Sequence, residues 1–386
     1  MRLPRSATLP KFATAASAAF ALTAAYHKNH APLPFKGADH FAQRSGTVAA
    51  LRMSVASAST TTSSDGNCGS VRSIHRYPVK SCGGETLDEV LLSRLSALPG
   101  DRQYLWVDAA GKFITQRPYE ARQGNDGNGV PRLATIDASI SPDGSTLRLN
   151  APDATPLEPL LVPTSDSSAG PSRRRDVTLF SGSAKVVDQI EAAGDWFRRW
   201  CGIEGACLVK ADETATSLAD DWRASRVAFQ EAAFPGEEAS PRTIPLDDGG
   251  TILVVSRASL DELNRRLAEK NLPPVNMSRF RPNFVLDLDG LPPHAEDGWR
   301  EFKLGDVSLR VERPCTRCST VLVDQEAGTS DDVNWLSKVL ARYRLSRPDP
   351  AFGSFDLQGT KFGVYCTPLS SGTVKVGDSV QVVQRK

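Results

Sequence analysis

From Val71 onward the chain divides its apolar residues into many short runs, each soon stopped by Gly, Pro or Asp. Runs of that length and spacing suit the strands of an antiparallel β-barrel or sandwich rather than a helical protein. Tyr104 to Asp108 and Phe113 to Arg117 are β-rich and joined through Ala109, Ala110, Gly111 and Lys112, which predicts a hairpin. Thr146 to Leu149, Pro159 to Val162 and Asp176 to Phe180 are further strands. Two late segments, Phe302 to Asp306 and Val374 to Asp378, echo each other by placing Gly-Asp after an apolar/basic alternation, and both are expected to be barrel hairpins. Helices are few. Ser259 and Glu262 make a Ser-x-x-Glu capping box ahead of Leu260, Leu263 and Leu267, which share a helical face. A second helix carries Trp335, Leu336, Val339, Leu340 and Tyr343, and a third is expected from about Val187 to Trp200. These apolar stripes are core faces.

With 386 residues the chain has room for two domains and needs no covalent staple. The expected class is mostly β with α+β character, divided into residues 68–211 and 212–386. Residues 1–67 differ in composition. No Asp or Glu occurs from Met1 to Ala38, while Arg2, Arg5, Lys11, Lys28 and Lys36 lie among Ala, Ser and Thr, the composition of an organelle-targeting presequence, mitochondrial or plastid. The apolar stretch Phe12 to Tyr26 is shorter than the roughly 20 residues that span a bilayer, so membrane association would run only through this segment. The Ser/Thr/Ala run from Ser54 to Ser64 reads as a linker. A formal net charge of +1 leaves no electrostatic footprint for nucleic acid. Seven scattered Cys, an odd number, do not form the framework of a small secreted domain, so reduced thiols are expected.

Cys315-Thr316-Arg317-Cys318 is the sharpest chemical feature, two thiols flanked by Arg313 and Arg317. Nearby positive charge favours thiolate, hence metal ligation or nucleophilic attack. A structural zinc site would need four ligands, yet only Cys366 follows and no His follows His294. A dithiol redox pair usually opens a helix in a βαβ unit, whereas Ser319 to Asp324 reads as a strand. Two Cys filling a β-core is the plain structural alternative. Three other clusters add cations and polar donors: Tyr77-Pro78-Val79-Lys80-Ser81, Asp101-Arg102, and Arg279-Phe280-Arg281-Pro282-Asn283. Together they form a set suited to a phosphate-bearing anion, although a single basic residue at a strand end is ordinarily just solvated.

Taken in order, Tyr77 to Ser81, Gly100 to Arg102, Phe280 to Asn283, Cys315 to Cys318 and Thr373 to Asp378 resemble the motifs of the MOSC family, in particular its amidoxime-reducing members. The resemblance runs from about Val71 to Val383. It implies an N-terminal MOSC β-barrel region followed by a MOSC β-barrel domain with flanking helices. It also implies a molybdenum cofactor, a pterin dithiolene with a phosphate tail, whose metal takes Cys318 as ligand and catalytic residue, with Cys315 as a neighbour. Lys80, Ser81 and Arg102 would meet the cofactor from the N-terminal region, and Arg281, Asn283, Thr316 and Arg317 from the C-terminal domain. Asp248 is the family match in Leu246 to Thr251, a segment that departs from the pattern, and Thr316 stands where relatives often have Ser. Ser165 to Arg175 looks like an insertion. The activity implied is reduction of N-hydroxylated compounds or nitrite. Electrons would come from outside, through a cytochrome b5-type protein and its flavin reductase, since no haem, flavin or iron-sulfur motif is visible. A cofactor carrier or sulfur-transfer protein is the alternative, although the aminotransferase-like domain of cofactor sulfurases has no room in this chain. A catalytically silent scaffold is the third reading.

Overall fold

The computed structural model describes residues 66–386 apart from 95–96, 119–128, 152–156, 166–173, 180–181, 213–245, 247–249, 332–333 and 346–358. The presequence and linker expected before residue 66, Asp248, and most of the 165–175 insertion lie outside the described residues. The elements follow in chain order as β1 (Asn67–Arg76), β2 (Glu85–Leu87), β3 (Glu89–Leu92), β4 (Tyr104–Val107), β5 (Asp137–Ile140), β6 (Thr146–Asn150), β7 (Leu160–Pro163), β8 (Arg174–Leu179), β9 (Gly182–Asp188), α1 (Glu191–Cys201) and β10 (Cys207–Ala211). The second half holds β11 (Ile252–Ser256), α2 (Arg257–Ala268), β12 (Phe284–Leu288), β13 (Trp299–Leu304), β14 (Val307–Thr316), α3 (Trp335–Arg344), β15 (Lys361–Pro368), β16 (Gly372–Lys375) and β17 (Ser379–Arg385).

Seven strands close a barrel in the order β12-β11-β15-β14-β13-β17-β1, with β1 pairing back onto β12 and β2 attached outside the ring. The pairing is antiparallel except between β11 and β12. Closure satisfies the backbone groups that an open sheet would leave at its edges. Period-two alternation fills the inside and covers the outside. Ile252 and Val254 of β11 point into a core with Ile74, Phe284, Phe302 and Val364, whereas Leu253 and Val255 face a second cluster with α2 and α3. Leu263 and Leu267 of α2 and Leu336 and Leu340 of α3 supply that outer cluster, as the helical spacing predicts. Each such fully buried apolar side chain stabilises the fold by about 1.5–3 kcal/mol before entropy is counted.

The N-terminal strands make a four-stranded sheet, β4-β10-β9-β8, and a three-stranded meander, β5-β6-β7. Tyr104 and Trp106 of β4 face a core shared with the meander and α1, while Leu105 and Val107 face a second core with Val186 and Val209. Trp106 stacks on Phe197 of α1 with centroids 4.2 Å apart. That helix stops at Gly202, whose φ of 77° is a left-handed cap open to glycine. β1 lies within the segment that the sequence assigns to the N-terminal region, yet it is a stave of the later barrel.

Several local expectations are corrected. The capping box is not used: α2 begins at Arg257 after Ser256. Ser259 lies within it, its hydroxyl 2.7 Å from that of Ser256 and donating to Glu296, and Glu262 instead accepts from Arg265 and Arg266. Val187 belongs to β9, where it pairs with Lys210, so α1 starts four residues later than expected. The Val374–Asp378 echo is a turn but not a hairpin, because β16 pairs with β3 and β17 with β13 and β1. Phe113 to Arg117 forms isolated bridges rather than a full strand. Ser319–Leu322 is a single 3-10 turn, not a strand. Its apolar side chains pack beside α3, and its carbonyls are met from elsewhere: Val321 O accepts from Arg279 and Leu322 O from the Asp331 amide.

Candidate functional site

The site forms where the chain leaves the large barrel. After β1, Tyr77–Lys80 runs beside residues 102–104: Arg102 N donates to Tyr77 O at 2.7 Å and Lys80 N to Tyr104 O at 2.7 Å. Residues 281–283 enter β12 beside them, with His75 N donating to Asn283 O at 2.8 Å. Three segments far apart in sequence thus converge because β1 and β12 are neighbouring staves.

Asn283, almost wholly buried, ties them together. Its Nδ2 donates to His75 O and to Asp101 Oδ1, and its Oδ1 accepts from Leu253 N and Arg102 Nη1. Asp101 also accepts from Tyr77 N at 2.8 Å and pairs with Arg102. Burial pushes the Asp101 carboxyl up, against the opposing pull of Arg102, Tyr77 N and Arg281. The Tyr77 ring lies between two guanidiniums, 4.7 Å from Arg102 and 4.3 Å from Arg281. Arg281 reaches across to Cys82 O at 2.6 Å and to Gln325 Oε1 at 3.2 Å. Lys80 Nζ donates to Leu246 O at 3.1 Å, and Ser81 Oγ is 3.4 Å from Thr115 Oγ1. Ser81, Arg102 and Arg281 all have left-handed backbones, with φ of 69°, 48° and 52°. Non-glycine residues rarely adopt that conformation, and it concentrates where function holds a side chain in place.

The two cysteines of the Cys-x-Arg-Cys motif part company. Cys315 is buried in the cluster beneath α2 and α3 and accepts from Arg317 Nη1 at 2.8 Å. Arg317 Nη2 donates to Phe280 O at 2.9 Å, so this arginine braces the motif against the residue before Arg281. Its Nε is buried without a hydrogen-bond partner. Cys318 is open to solvent, its Sγ 3.2 Å from Thr320 Oγ1. Closely packed protein around the sulfur would raise its pKa. The positive charges of Arg117 and Arg317 and hydrogen bonding from Thr320 outweigh that effect and hold the thiol below its ordinary value of 9.0. Burial instead drives Cys82 up to about 12 and Cys366 well above the ordinary range. An open thiol biased toward thiolate by two arginines can ligate a soft metal or attack an electrophile.

The structure therefore joins Arg102, Asn283 and the Arg281 backbone in one buried network, with Lys80 and Ser81 buried on the adjoining segment and bonded to Leu246 and Thr115, while Arg317 braces Cys315 against Phe280, the residue before Arg281. Much of the donor capacity of those residues is spent on protein carbonyls. Sequence reasoning missed Arg117, Gln116, Gln325 and the spacer role of Tyr77. Arg117 stands only as the end of a strand-like run, with nothing local to mark its position near Cys318. Among the described residues no group of three or more His, Cys, Asp or Glu is placed to hold a metal ion. A hollow of about 300 Å³ also touches Tyr77, lined among others by Arg72, His75, Arg257, Met277 and Pro282, but Cys318 is not part of it.

Residues 68–204 match the model of the MOSC N-terminal beta barrel domain and residues 241–381 that of the MOSC domain. The chain belongs to the MOSC family. Within it, the chain is 30% identical over 320 residues to mitochondrial amidoxime reducing component 2 of Rattus norvegicus, covering 81% of this chain and 82% of the relative. It is 29% identical over 324 residues to mitochondrial amidoxime-reducing component 1 of Homo sapiens, covering 82% and 83%. Molybdenum cofactor sulfurase of Botryotinia fuckeliana (strain B05.10) is 26% identical over 351 residues, and there the match takes in 81% of this chain but 41% of the sulfurase. The MOSC match thus unites the two halves that the fold joins through β1, and it includes each of the motifs at the site.

Proposed function

We propose that this MOSC protein is a molybdenum-dependent reductase of N-hydroxylated compounds, and of nitrite, that draws its electrons from a separate donor. The observation that carries the reading is Cys318, a solvent-open thiol held low by surrounding cations beside a buried network of arginines. This donor set fits an anionic cofactor that arrives with most of its metal ligands already in place, because one soft thiolate completes such a metal and fixed cations neutralise the rest. When bound, the cofactor supplies two-electron redox chemistry at its metal. Cys318 would ligate the metal, and Lys80, Ser81, Arg102, Asp248, Arg281, Asn283, Thr316 and Arg317 would hold the pterin and its phosphate. The network round Asn283 keeps those cations in place before the ligand arrives, so little reorganisation is needed on binding. Cys315 would serve as a packed neighbour that anchors Arg317. The acid-free N-terminal segment and the names of the amidoxime-reducing relatives support a mitochondrial address.

Protein purified from a host that makes the cofactor should contain molybdenum and pterin and should be inactive with NADH alone. Adding a cytochrome b5-type protein and its flavin reductase should then reduce an N-hydroxylated amidine or nitrite. Robust turnover by the isolated chain with NADH would overturn the external-donor scheme. Molybdenum-replete protein that stays inert with a competent donor chain would favour a carrier or sulfur-transfer role, the reading that the sulfurase similarity supports.

A further inference from the structure

The turn that follows Val323 is fixed from two sides. Arg279, two residues before Arg281, donates to Asp324 Oδ2 at 3.2 Å and to Asp331 Oδ2 at 2.8 Å. Asp324 Oδ1 accepts from the amides of Glu326 and Ala327, both at 3.0 Å. At Gly328 the turn lies against the N-terminal region. Its φ is +64°, and a Cβ there would come within 2.9 Å of Arg132 Cα and 2.7 Å of Thr135 Cγ2. Glycine lets the two regions approach this closely. Gln325 leaves the turn toward the site. Its Nε2 donates to Gln116 Oε1 at 2.8 Å and to Val323 O at 3.2 Å, and its Oε1 accepts from Arg281 Nη1 at 3.2 Å. Two acceptors at the nitrogen and a cationic donor at the oxygen determine which way the amide faces. The same Arg281 nitrogen donates to Cys82 O at 2.6 Å, and the guanidinium lies 4.3 Å from the Tyr77 ring. Gln116 is almost wholly buried, and its neighbour Thr115 is anchored through Val130 N, which donates to Thr115 O at 2.7 Å. One amide thus joins an arginine of the MOSC domain to a glutamine of the N-terminal region.

We propose that Gln325 is a positioning residue for Arg281, and that through Gln116 it ties the posture of that guanidinium to the fit between the two regions. An arginine is long and flexible, so it meets an incoming anion efficiently only where its neighbours have already set its place. The inference rests on the reading of Arg281 as a cofactor holder. Its test follows the rate at which molybdenum leaves the loaded full-length protein, measured as metal retained after dilution and desalting. Gln325→Met and Gln116→Met keep side-chain length but delete the amide, and each should speed release about fivefold, the loss of one hydrogen bond in the chain that ends on a charged group. In an Arg281→Ala background Gln325→Met should add nothing, because the group it positions is gone. Parental release from either Met variant, or effects of Gln325→Met and Arg281→Ala that multiply, overturns the proposal. A second measurement needs no cofactor. In metal-free protein the shifts in urea midpoint caused by Gln325→Met and Arg281→Ala should not add in the double variant, as expected for side chains in direct contact. Additive shifts would overturn the proposal as well. Should the parent protein hold no molybdenum, the cofactor reading fails, while the urea cycle still decides whether Gln325 positions Arg281.

Discussion

Cys318 and Cys315 are three positions apart in sequence but occupy opposite environments, which makes them a matched pair for substitution. Cys318→Ser should lower reductase activity by more than about a hundredfold, since a hydroxyl is a poor ligand at a soft site. Cys315→Ser should leave measurable activity and register mainly as a stability loss, because it places a hydroxyl in an apolar cluster. Equal loss of activity in the two, at equal folding by circular dichroism, would remove Cys318 from the metal. A second residue-scale prediction concerns Glu296, which is fully buried and accepts from Ser256 and Ser259 through Oε1, while Oε2 has no partner. Burial is the main cause that pushes its carboxyl above the ordinary value of 4.5. Below that value folded and unfolded chains are both protonated there. As pH rises from it toward the higher folded value, the unfolded chain releases a proton that the folded chain retains, and stability falls. Glu296→Gln removes that penalty. Its Tm should match the parent below pH 4.5 and exceed it increasingly as pH rises above that value, and a gap that shrinks as pH rises would refute this account.

At the scale of elements, the site depends on how strands end. Asn283 fastens the ends of β1 and β12 to the Asp101–Arg102 turn, so Asn283→Ala leaves several buried groups unpaired. It should cost about 2–4 kcal/mol in denaturant unfolding, and a cost within experimental error would show that the network is not cooperative. Arg281→Ala and Lys80→Ala should fold but retain less molybdenum, and normal metal content in both would exclude them as cofactor holders. Much of this scale was legible in the residues. Leu263, Leu267, Leu336 and Leu340 announced two helices by spacing, and short apolar runs bounded by Gly, Pro or Asp announced the strands found at 104–107, 146–150 and 160–163. What failed did so for physical reasons. Thr320-Val321-Leu322 has strand composition, but its carbonyls are satisfied by Arg279 and Asp331, and only tertiary structure supplies those partners. Ser259 and Glu262 have capping chemistry, yet stronger partners in Glu296, Arg265 and Arg266 take them. Arg117 was invisible as a site residue because its meaning lies about two hundred positions away, at Cys318.

For the whole molecule, the deciding feature is that β1 seals the barrel between β17 and β12. A polypeptide limited to residues 241–381 would lack that stave and present two raw edges, an arrangement prone to intermolecular pairing. It should aggregate in size-exclusion chromatography, and co-expression with a 66–92 peptide should recover monodisperse material. A well-folded monomer without the peptide would contradict the role assigned to β1. The same closure sets a clock on folding. Cys68 and Val380 are in contact across 312 positions, so the ring cannot lock until both β1 and β17 have been made. Contacts of such long range form slowly. A chain that has not yet placed β17 therefore keeps an open ring, however well its other strands have formed.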